Sequence, residues 1–69
     1  MDKSLARTIC DAYKALKVDD DRRSIDDIID EAASSDDRMI CGQWCYLLGV
    51  ADTLDMTIPQ VVEEAQATK

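Results

Sequence analysis

The chain has 69 residues, a net charge of −7, no histidine and three cysteines. At that length it forms one domain at most and buries only about 60% of its unfolded surface, so it needs unusually good packing or a partner chain. Three cysteines exclude a self-contained disulfide framework, and the acidic balance disfavours direct binding to phosphate backbones, which relies on Lys and Arg displacing counterions. The longest apolar run ends at Asp52 and Asp55, too short for a bilayer. No signal-peptide core precedes the first helix, so a cytoplasmic protein with reduced thiols is expected.

The charge is uneven. Residues 1–23 carry six basic and five acidic groups, residues 24–69 two basic and ten acidic. The first helix is expected over 4–16, with Leu5, Ile9, Ala12, Tyr13 and Leu16 on one stripe. Lys3, Arg7, Lys14 and Lys17 form a second stripe, and Cys10 lies within it. The run Asp19, Asp20, Asp21, Arg22, Arg23 breaks the period and reads as a solvated loop. A calcium loop would need a turn glycine and a twelfth-position glutamate, and both are missing.

Ser24 is the expected cap of a second helix over 25–33, with Asp27 three residues on. Ile25, Ile28, Ile29, Ala32 and Ala33 supply its apolar side; Asp26, Asp27, Asp30 and Glu31 supply an acidic outer face. Ser35 is the expected cap of the third helix, over 37–54, with Asp36 and Asp37 favourably placed in its first turn.

That third helix is apolar on nearly all sides. At about 100° per residue, Ile40, Trp44, Leu47, Leu48, Ala51 and Leu54 form one face, and Met39, Tyr46 and Val50 form a second beside Gln43. Gly42 and Gly49 fall on one line, and each costs roughly 1 kcal/mol against alanine in a helix interior. Close approach of another helix is one explanation; a kink at Gly49 is the other. A fourth helix over 58–67 follows from Thr57-Ile-Pro-Gln60, a capping box with proline in the first turn. Its inner side is Ile58, Val61, Val62 and Ala65. The expected fold is therefore all-α, one domain over 1–69, a small bundle of three to four helices completed by homodimerisation through the third.

Met39, Gly42, Gln43, Tyr46, Gly49 and Val50 are the expected dimer interface. Cys41 and Cys45 share a helix face, but with no histidine a tetrahedral zinc site would have to recruit carboxylates or a second subunit. The expected role of the cysteines is packing, and no cofactor or resident metal is expected.

The segment YLLGVADTLDMTIPQVVEEAQATK resembles the final two helices of the all-α MazG-like nucleoside triphosphate pyrophosphohydrolases. The resemblance covers about a third of the chain and implies Mg²⁺ held by two acidic helix motifs. Asp27 and Asp30 match the first motif; the second falls on Met39 and Gly42, which cannot ligate. A non-enzymatic protein is thus the leading expectation: a small homodimeric interaction protein, of the accessory kind often encoded by phages, binding another protein, itself basic in the electrostatically favoured case. Asp26, Asp27, Asp30, Glu31, Asp36 and Asp37 are its candidate partner surface. The alternatives are a nucleic-acid mimic that uses those carboxylates as phosphates, and a degenerate pyrophosphohydrolase relative.

Overall fold

A computed structural model describes residues 1–17 and 22–68. They form four helices, α1 (Lys3–Leu16), α2 (Ile25–Ala33), α3 (Arg38–Leu54) and α4 (Ile58–Thr68), with no strand among the described residues. The all-α reading and the four helix positions agree with the sequence to within a residue or two. The aspartates at 19–21 lie outside the described residues. Among the described residues no helix is long and apolar enough to cross a membrane.

Each start has a local chemical cause. The Asp2 carboxylate accepts from the Leu5 N–H at 3.1 Å, which begins α1 a residue earlier than expected. Ser24 accepts from the Asp27 N–H at 3.2 Å, as expected. Ser35 does not cap α3. Its hydroxyl accepts from the Asp37 N–H at 3.1 Å, and Asp37 is the cap, accepting from Met39 N–H at 2.9 Å and Ile40 N–H at 3.4 Å. A carboxylate holds two N–H groups at the positive helix end better than a hydroxyl does. Thr57 and Gln60 form the full reciprocal box: Thr57 N–H donates to Gln60 Oε1 at 2.9 Å, and Gln60 N–H to Thr57 Oγ1 at 3.3 Å.

The end of α3 is less comfortable. Met56 N–H donates to the Ala51 carbonyl at 2.9 Å and Asp55 N–H to the Asp52 carbonyl at 3.3 Å, the bond pair of a Schellman motif. That motif needs a left-handed residue, and Asp55 occupies it at φ 57°. Aspartate tolerates this geometry better than most side chains, but glycine adopts it without a Cβ penalty.

The core contains Ala6, Ile9, Ala12, Tyr13 and Leu16 of α1, Ile28, Ile29 and Ala32 of α2, Leu47 and Ala51 of α3, and Ile58, Val61, Val62 and Ala65 of α4. α1 packs most closely on α4 and then on α3. The apolar third helix is therefore not the centre of the bundle. Leu48 and Leu54, expected on its inner face, are 37% and 40% exposed, and Trp44 is half-buried. Smaller corrections follow the same logic: Ala33 lies outside the α2 contact, and Ala6, not in the expected stripe, is fully buried. α3 is continuous through both glycines, so Gly49 makes no break.

The Cα radius of gyration is 11.1 Å, against about 11 Å for a folded chain of this length. Two outcomes test this packing in denaturant titrations. Ile9→Ala should cost about 2–5 kcal/mol, most of the stability of so small a domain, whereas Leu48→Ala should cost under about 1 kcal/mol. Asp55→Gly should raise stability by roughly 0.5–1 kcal/mol by relieving the left-handed aspartate.

Candidate functional site

Once Leu47 and Ala51 point inward, the opposite side of α3 faces solvent. Met39 is 70% exposed and Tyr46 37%, and Gly42 and Gly49 are both open. With Leu48, Leu54 and Met1 these are the exposed large hydrophobics among the described residues, so all but Met1 belong to this one helix. Gln43 and Val50, the other two expected interface residues, are half-buried, and Val50 packs against the core. The outward face thus brings together Met39, Gly42, Tyr46 and Gly49, with Gln43 and Val50 at its margin.

The face has relief. A groove of 480 Å³ runs along the seam of α1 and α3, lined by Leu5, Cys45, Tyr46, Gly49, Val50, Thr53 and Leu54. A second, of 550 Å³, is lined by Thr8, Asp11, Ala12, Gly42, Gln43 and Tyr46. Tyr46 lines both. Sequence reading missed the α1 side of these grooves. Leu5 was legible only as an end of the inward stripe, and its half-burial at that edge is what makes it a groove wall.

Neither glycine is required by the fold. Both have ordinary helical φ, and a Cβ built on either would meet nothing within 4 Å. Each nonetheless carries the helix-propensity cost of roughly 1 kcal/mol.

The candidate acidic surface is less uniform than its sequence. Asp26, Asp27, Asp30, Glu31, Asp36 and Asp37 are all exposed. Glu31, however, is ion-paired with Arg23, and Asp37 is engaged in capping α3. Asp26, Asp27, Asp30 and Asp36 are the remaining carboxylates.

The packing role expected of the cysteines does not hold for two of them. Cys41 and Cys45 are exposed, and only Cys10, half-buried, packs against the core instead of joining the basic stripe of α1. Cys41 and Cys45 sit one turn apart on α3. Local shielding from water pushes the Cys45 thiol above its ordinary pKa, and the neighbouring Cys41 adds to the rise through its charge interaction and hydrogen bonding with Cys45. Among the described residues no group of three or more potential donors is placed to hold a metal.

Trp44 is the remaining anomaly. Its Nε1–H is buried without an acceptor, which costs about 1–3 kcal/mol.

Compared with protein-family models, curated proteins and solved structures, the chain matches none. The functional reading therefore rests on the geometry just described.

Two measurements check it. Alkylation of Cys45, followed by mass spectrometry across pH, should need a higher pH than an ordinary cysteine and should shift back down in Cys41→Ser. Trp44→Phe removes the orphan donor while keeping a ring, so its stability should fall within about 1 kcal/mol of the parent, whereas Trp44→Ala should lose about 3 kcal/mol or more.

Proposed function

We propose that this chain is a small acidic interaction protein that pairs with a second copy through the outer face of α3 and acts by binding another protein. The observation that carries the reading is the pair of glycines. Gly42 and Gly49 lower helix stability and serve nothing within one copy, yet they lie among the exposed Met39 and Tyr46 on a face with little charge. A second helix approaching closely over them would use the space they leave.

Surface area points the same way. A folded monomer of this mass exposes about 4,300 Å², and this chain exposes 4775 Å². The excess is of the order of half the roughly 800 Å² that each partner contributes to a standard interface.

The acidic face of α2, with Asp26, Asp27 and Asp30, together with Asp36 in the turn that follows it, is the surface offered to a further, basic partner. Pure nucleic-acid mimicry is less well supported, because Glu31 and Asp37 are already engaged. Pyrophosphohydrolase chemistry lacks its second carboxylate pair, since those positions hold Met39 and Gly42.

Sedimentation at micromolar concentration should give twice the 7.7 kDa chain mass; a monomer throughout would overturn the reading. Gly42→Leu should dissociate the dimer while leaving each copy as stable as before or about 1 kcal/mol more so, a combination that no folding defect produces. Salt separates the two surfaces. Added salt should strengthen self-association by screening the like charges of the two copies, and weaken capture of a basic protein.

A further inference from the structure

We propose that Cys41 and Cys45 form half of a tetrathiolate site for a divalent zinc-class cation, completed by the same two residues of a second copy. This inference rests on the pairing of two copies through α3 proposed above.

Residues four apart on a helix hold their Cβ atoms about 5–6 Å apart. That is too far for a disulfide, which needs about 3.5–4.5 Å, but it suits two corners of a tetrahedron. With zinc–sulfur bonds of about 2.3 Å, tetrahedral sulfurs lie about 3.8 Å apart. Cys41 and Cys45 stand one turn apart on α3, and both are exposed. Within one copy the set stops at two: Cys10 is on α1 and half-buried, the chain has no histidine, and no third donor joins the pair among the described residues.

Symmetry supplies the other two. At 100° per residue the pair lies on one flank of the line through Gly42 and Gly49. A two-fold axis perpendicular to two antiparallel helices brings a flank residue to its own copy on the same flank, whereas an axis parallel to the helices sends it to the opposite one. The site therefore implies antiparallel α3 helices crossing near Gly42. Binding displaces a proton from each thiol, and a −7 chain attracts the cation.

The test titrates the reduced, metal-free full chain with Cd²⁺, following thiolate-to-metal charge-transfer absorbance together with mass by light scattering. Saturation at one cadmium per two chains, with four-thiolate intensity and dimer mass, is expected. Cys41→Ser and Cys45→Ser should each lower affinity by roughly 100-fold or more, and Cys10→Ser should leave it unchanged. One cadmium per chain with two-thiolate intensity overturns the shared site. A dimer that takes up no cadmium overturns this inference and leaves the pairing intact; a monomer that takes up none overturns both.

Discussion

The bundle depends on the meeting of α1 with α4. Ala6 and Ile9 on one helix and Val61, Val62 and Ala65 on the other are completely shielded from water. The alanines let the two axes approach, and the β-branched residues fill the space between them in well-defined rotamers. α2 closes one side through Ile28 and Ile29, and α3 closes another through Leu47 and Ala51. In a chain this short, the pair that packs best takes the centre, and the helix with the most apolar surface is left with more than the centre can cover.

Periodicity and capping chemistry made most of the architecture legible. The Thr57 to Gln60 box and the Ile58, Val61, Val62, Ala65 stripe appear in the fold as they do in the sequence. Such signals are local, since a cap bonds within its own first turn and a stripe follows from 3.6 residues per turn. What was not legible depended on which helix faces which. Leu48 and Leu54 belong to a plausible inner face until α1 and α4 take the centre, after which the contact on α3 narrows to Ile40, Trp44, Leu47, Val50 and Ala51. Residue type alone puts Cys41 and Cys45 in the packing, and only the rotation of α3 in the bundle turns them outward. Asp37 displaced Ser35 as the cap because the two alternatives differ by an interaction strength that spacing does not encode.

The outer face of α3 combines two features that monomeric stability alone would disfavour. Exposed Met39, Tyr46, Leu48 and Leu54 leave apolar surface in water, and two helix-interior glycines forgo about 1 kcal/mol each. Alanines at both positions would fit the single copy without a clash, and polar residues would solvate the surface. For a domain whose total stability is on the order of 5 kcal/mol, these are large concessions concentrated on one helix. They acquire a common physical sense if that helix is covered, because burial recovers the apolar area and the glycines set how near the covering helix can come.

Charge placement is consistent with the same division of the surface. Each copy carries −7, so any association between copies works against repulsion, and it is opposed least where charge is sparse. α3 has only Arg38 and Asp52 along its 17 residues, whereas α2 places four carboxylates in nine. Self-association through α2 would press like charges together, a cost of several kcal/mol in a poorly solvated contact. In the proposed pairing, the acidic α2 would do more than solubilise the chain: it would steer a second copy away from itself and toward the sparsely charged α3 face of Tyr46 and the glycines, and stay open to a partner of opposite sign.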